Sequence, residues 1–171
     1  MYAVIDDFLS FAKSINQKDL STDSNISELI GNSTIAEFME LHPRDVIALH
    51  KLVNNNLPLV MKAHRASDLL KLVEIKKKYN LNLIIMGAQE ANLVKDAIAK
   101  NNIPLIINPI NNIPGSFDEL ASNIKMAGML EKADIELMFT APRSHNFHLI
   151  RQGAGVAVAN GMSYETAIRG L

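Results

Sequence analysis

Hydrophobic positions fall into two regimes along the chain, and the change comes near residue 55. In the first regime Val4, Phe8, Leu9, Phe11, Ala12 and Ile15 recur at helical spacing and predict an amphipathic helix. The polar stretch from Asn16 to Asn25 reads as a surface loop or poorly ordered insert. Helical periodicity resumes at Ile26, Leu29 and Ile30, and again at Ile35, Phe38 and Met39. Pro43 suits the first turn of a further helix, running from Arg44 to about Asn54 with Val46, Ile47, Leu49 and Leu52 as its buried side. In the second regime short continuous apolar runs alternate with amphipathic stretches. The runs are 57–63 (LPLVMKA), 81–86 (LNLIIM), 103–108 (IPLIIN) and 135–139 (IELMF). Helices are predicted from about Ser67 to Tyr79, Gln89 to Lys100, Phe117 to Lys132, Asn146 to Asn160 and Tyr164 to Arg169.

Strands that are apolar throughout, separated by helices, mean a parallel sheet covered by helices. Two α/β architectures satisfy this: a (β/α) barrel, and an open doubly wound sheet. A complete eight-stranded barrel takes about 250 residues, so four units are half of one. The expected organisation is a single domain over 1–171, with a helical lead-in (1–55) and four β/α units (56–171).

Composition narrows the classes of function. Lysine and arginine total 17 against 18 acidic residues, a formal charge of −1, which gives no strong attraction to nucleic acid or anionic membrane. The apolar runs are far shorter than the roughly 20 residues of a membrane span. The start of the chain has no export-signal pattern, so the chain is expected to be soluble, its compartment open. With no cysteine, disulfides, thiolate metal sites and a cysteine nucleophile are excluded, and any metal must be held by His, Asp, Glu or Lys.

Sites in parallel α/β folds gather at the carboxyl ends of the strands. After the first strand comes His64, placed to face the mouth of the fold, where a neutral imidazole can bind a divalent metal or else bond a loop carbonyl. Arg65 suits an anionic substrate, or a pair with Asp68 or Glu90; Asp68 suits a helix cap. After the third strand, Asn108 opens an Asn-rich loop reaching Asn112, a rigid polar rim suited to contacting a small molecule. After the fourth, His145 and His148 lie three apart at a helix start, a spacing open to metal ligation, to substrate contact or to helix-start bonding. Ser116 with Glu119 matches a capping box and reads as helix initiation. Gly153, Gly155 and Gly161 suit close helix packing better than a phosphate cradle. The run Lys76 to Lys78 reads as a solvated helix end.

The segments LPLVMKAHRASDLL, NLIIMGAQEANLVKDAIAKNNIPLI, NPINNIPGSFDEL and HNFHLIRQGAGVAVANGMSYETAIRGL, in this order, resemble the C-terminal half of amidohydrolases related to imidazolonepropionase. They span roughly Asp45 to Leu171. The resemblance implies strands five to eight of a (β/α)8 TIM barrel. It also implies a divalent metal, usually zinc, whose activated water attacks an amide or cyclic C–N bond of a small-molecule substrate. His64 matches the fifth-strand histidine ligand of that family.

Two positions depart from the family pattern. No histidine stands near Met86-Gly87, where the sixth-strand ligand belongs, and no acidic residue lies between Met138 and Ser144, where the eighth-strand aspartate belongs. The catalytic residues are therefore unassigned, with His145 or His148 as stand-in candidates. The expectation is that this chain alone holds no metal and is inactive, while a longer parent acts as a hydrolase. The alternatives are a catalytically degenerate barrel serving as a binding or scaffold protein, and a self-contained open-sheet binding module. A half barrel has two unpaired edge strands and an uncovered face, so homodimerisation through either is expected.

Overall fold

The computed structural model describes residues 2–16, 18–54, 57–110, 114–141 and 144–171. The chain divides into two compact units, one of residues 1–59 with 74–82 and the other of 60–73 with 83–171.

The first unit is helical: α1 (Tyr2–Ser14), α2 (Asp23–Gly31), α3 (Thr34–Phe38) and α4 (Pro43–Val53). Side-chain caps decide where three of them begin. Thr22 accepts from Asn25 N, Ser33 accepts from Ala36 N, and His42 forms a reciprocal box with Asp45, followed by Pro43. Because Thr22 caps α2, Asp23 to Asn25 are helical; the polar stretch expected as a loop ends three residues earlier than its composition suggests. Phe11, Ile15, Ile26, Ala36 and Val46 form the core of this unit. Lys78, expected to be merely solvated, pairs with Asp6 at 2.7 Å, and Tyr79 donates its hydroxyl to the Asp6 carbonyl at 2.9 Å.

The second unit carries the sheet. Its strands are β1 (Leu59–Ala63), β2 (Leu83–Gly87), β3 (Leu105–Ile107) and β4 (Leu137–Phe139), hydrogen-bonded in the order β1-β2-β3-β4. β2 and β3 run parallel with Met86 opposite Ile106, and β3 and β4 run parallel with Ile106 opposite Met138. The strands rise in sequence order across the sheet, so no topological switch point of the doubly wound kind exists in it.

Helices follow each strand: α5 (Ala66–Tyr79), α6 (Lys95–Lys100), α7 (Met126–Glu131), then α8 (Ile150–Ala159) and α9 (Tyr164–Arg169). Three helices expected to be long are broken, the last by the 3-10 turn Ser144–Leu149 ahead of α8. A 3-10 turn, Ala91–Leu93, precedes α6, and another, Phe117–Glu119, stands apart from α7.

The strands alternate between buried and part-buried positions. Leu83, Ile85, Leu105 and Ile107 are fully buried with Leu69, Leu72, Ile98 and Leu130, each contributing roughly 1.5–3 kcal/mol. Ile84, Met86, Ile106 and Met138 fall on the other face and stay part-exposed. At β4 the Phe139 N–H donates to the Gly170 carbonyl at 2.7 Å. The outward side of β4, expected to be open, is therefore occupied at its last residue by the end of α9.

Candidate functional site

The carboxyl ends of β1 and β2 are tied together by backbone. Ala88 N donates to Ala63 O at 2.7 Å, and Glu90 N donates to His64 O at 3.0 Å. This demands a sharp turn after β2, made by two consecutive residues with left-handed backbone, Gly87 (φ 97°) and Ala88 (φ 49°). Glycine takes that conformation freely, whereas alanine pays for it with about 1–2 kcal/mol of strain. Strain of this kind concentrates at functional sites.

The imidazole of His64 lies directly over Gly87. A Cβ on residue 87 would stand 2.7 Å from His64 Cε1 and 3.1 Å from both ring nitrogens. No side chain fits there while the ring keeps its place. The space a side chain at residue 87 would take is occupied by the imidazole of His64.

His64 Nδ1 is buried, with Glu119 Oε1 at 3.3 Å, within ion-pair range though off the line of a hydrogen bond. The other carboxylate oxygen of Glu119 accepts from Gly115 N at 3.0 Å. The expected capping box is therefore not closed by Glu119. Ser116 does accept from Asp118 N, but Glu119 turns to Gly115 on one side and to His64 on the other.

Next to this pair, Arg65 Nε lies 2.5 Å from Asp118 Oδ1, with both side chains about half exposed. Arg65 was expected beside Asp68 or Glu90; the partner comes instead from the loop after β3. Glu90 has a different task, accepting from Ala66 N at 2.9 Å and from Ala121 N at 3.2 Å. It satisfies the first N–H of α5, a role the sequence suggested for Asp68. Two consecutive residues after β1 thus meet two consecutive acids after β3, and Glu90 fastens the same loop to α5. Phe117 and Leu120 on that loop remain exposed at 82% and 64%. Polar contacts hold the loop where these two side chains contribute no burial.

The other predicted residues stand apart from this arrangement. Asn108 is buried, and its Oδ1 accepts from Ile110 N at 3.2 Å, which closes an Asx turn. Asn111 and Asn112 of the same loop lie outside the described residues. His145 and His148 are both exposed on the 3-10 turn Ser144–Leu149. Asn146 between them has non-helical backbone (φ −101°, ψ 15°), which breaks the alignment of residues three apart.

A metal ligated by His64 needs further donors beside it, since zinc takes at least three protein ligands. Among the described residues no three His, Asp or Glu side chains gather into such a group. The donor set of this chain, one imidazole turned to one carboxylate, does not fit a metal centre. Gly87, Asp118 and Glu119 were not picked out as site residues by sequence reasoning. The opposite charges of Arg65 and Asp118-Glu119 could have suggested the two acids; no sequence signal points to Gly87.

A concavity of about 590 Å³ lies between α8 and α9, lined mainly by Arg151, Ala154, Val158, Tyr164, Ile168 and Leu171. It is apolar and carries no convergent polar groups beyond Arg151. Among the described residues no helix is long and apolar enough to cross a membrane.

No protein-family description matches this chain, and no curated protein does. Among solved structures it is similar to an amidohydrolase from Thermotoga maritima MSB8, with a TM-score of 0.76 and 19% sequence identity. The likeness covers 99% of this chain but 42% of the amidohydrolase chain. At that identity it shows a shared fold: a helical segment followed by a parallel four-stranded α/β sheet.

Proposed function

We propose that this chain is the strand-five-to-eight half of an amidohydrolase-type (β/α)8 barrel, and that the His64 end of the sheet forms one wall of its small-molecule site. The observation that carries this reading is the strand order, β1 to β4 in sequence across a parallel sheet, together with the likeness over nearly the whole chain to 42% of an amidohydrolase. Sequential order is what a barrel half requires, and sites in such folds collect at the strand ends. In the complete barrel the reaction is hydrolysis of an amide or cyclic-amide C–N bond. His64 faces the substrate and Arg65 lies on the rim.

A second reading is favoured by the packing of His64 on Gly87: a catalytically degenerate barrel that binds small molecules or partners without turning them over. One assay separates the two. The complete barrel, with and without added zinc, is offered hydantoin, dihydrouracil and N-acetyl amino acids. Turnover that disappears in His64→Ala supports the hydrolase reading. Saturable binding without turnover, weakened in His64→Ala, supports the degenerate barrel. Neither binding nor turnover contradicts both.

The part-exposed sheet face bearing Ile84, Met86, Ile106 and Met138 also supports homodimerisation of this chain, through that face or the edge of β1. Light scattering at increasing concentration tests it, and a monomer throughout excludes it.

A further inference from the structure

His64 carries one more consequence, which rests on the reading of the strand ends as a small-molecule site. Nδ1 is buried, and the polar atom it faces is Glu119 Oε1 at 3.3 Å. Buried ring nitrogens without a partner are rare. A lone pair on Nδ1 facing a carboxylate oxygen is repulsive, whereas an N–H there is attractive. Glu119 is itself held in place, because Gly115 N donates to its other oxygen at 3.0 Å. The ring lies over Gly87, where a Cβ would stand 2.7 Å from His64 Cε1. Among the described residues Nε2 has no hydrogen bond.

We propose that Glu119 is a positioning residue that holds His64 as the Nδ1–H tautomer, so that Nε2 offers an acceptor lone pair to an N–H donor of a bound molecule. In a neutral imidazole a proton on one nitrogen leaves the other as acceptor. The choice of tautomer is commonly made by the hydrogen bond of the far nitrogen. The loop after β3 therefore does more than cover His64: through Glu119 it decides which half of a donor–acceptor pair the site presents. A ligand whose nitrogen is alkylated has nothing to give that lone pair and meets it with a methyl group.

The test uses this chain labelled with ¹⁵N-histidine at a pH where the imidazoles are neutral, with His64 assigned by its loss in His64→Ala. Long-range ¹H–¹⁵N correlation is expected to show His64 with a pyrrole-type Nδ1 and a pyridine-type Nε2. Glu119→Ala is expected to move it toward the Nε2–H form, while Asp118→Asn leaves it unchanged. Should Glu119→Ala fail to fold, Glu119→Leu, which keeps the bulk and removes the acceptor, is expected to show the same change. An Nε2–H tautomer in the wild type, or one indifferent to both residue 119 variants, overturns the inference.

The ligand arm compares hydantoin with 1,3-dimethylhydantoin. Hydantoin is expected to shift the Nε2 resonance and to bind about tenfold more weakly to Glu119→Ala, the scale of one hydrogen bond. The dimethyl analogue is expected to leave Nε2 unmoved. Equal binding of the two overturns donor recognition. The correct tautomer with no binding of either contradicts the small-molecule reading of the site while leaving the role of Glu119 intact.

Discussion

His64 and Gly87 are in van der Waals contact so close that a methyl group on residue 87 would stand 2.7 Å from His64 Cε1. The end of β1 and the end of β2 are thereby fitted to each other atom by atom, and a side chain on one excludes the ring of the other.

Gly87→Ala tests this fit. The added methyl displaces the imidazole, and the left-handed backbone at φ 97° disfavours any side chain. Urea denaturation is expected to show a loss of about 2–4 kcal/mol, from overpacking and backbone strain together. The neighbouring Ala88→Gly substitution has the opposite logic. It relieves the strain at φ 49°, so its stability is expected within about 1 kcal/mol of wild type despite the flexibility of glycine.

The four strands were legible because they are apolar without interruption over at least three residues, which only a sheet covered by helices explains. The turn at Gly87-Ala88 was not, because its conformation is forced by Ala63 O and His64 O, atoms more than twenty residues away in sequence. Glu119 was misread for a related reason. Its spacing from Ser116 satisfies a local capping pattern, while the group that claims it, His64, is supplied by a different strand. The helix 117–132 was expected as one piece because periodicity reports spacing and not continuity; the 3-10 turn ends at Glu119, whose side chain faces His64, and Ala121 N donates to Glu90. Glycines divided along the same line. Gly153 packs with its Cβ direction 3.4 Å from Pro109 Cδ, as close packing predicts, whereas Gly155 faces open space.

Arg65 and Asp118 are close but about half exposed. A double-mutant cycle with Arg65→Ala and Asp118→Ala is expected to return a coupling below about 1 kcal/mol, shrinking as salt is added. A larger coupling that is insensitive to salt would mean that the loop excludes water from the pair.

Glu131 of α7 accepts from the backbone N–H of Ser163 at 2.8 Å and from its hydroxyl. Burial pushes its carboxyl up, but the bonds from Ser163 and Thr166 and the charge of Lys132 together pull it below the usual carboxylate value. A depressed carboxyl contributes stability that is present above the unfolded-state value, about 4.3, and is lost as pH falls through the folded-state value. Glu131→Gln is therefore expected to flatten the acid side of a stability–pH curve and to leave its shape above pH about 6 unchanged. An unaltered acid limb would remove Glu131 from the account.

Gly128 of α7 approaches the Gly161 turn so closely that a Cβ would lie 2.7 Å from the Gly161 carbonyl carbon and oxygen. Backbone cannot move aside as a flexible side chain does. Gly128→Ala is expected to cost about 1–3 kcal/mol in denaturation even though alanine favours helix.

The most direct measurement maps where a cyclic amide binds. In ¹H–¹⁵N spectra of this chain titrated with hydantoin, shifts are predicted at His64, Gly87, Gly115 and Glu119, and they are predicted to vanish in His64→Ala. Shifts confined to the groove between α8 and α9, around Arg151, Tyr164 and Ile168, and unaffected by His64→Ala, would contradict the placement of the site at the strand ends.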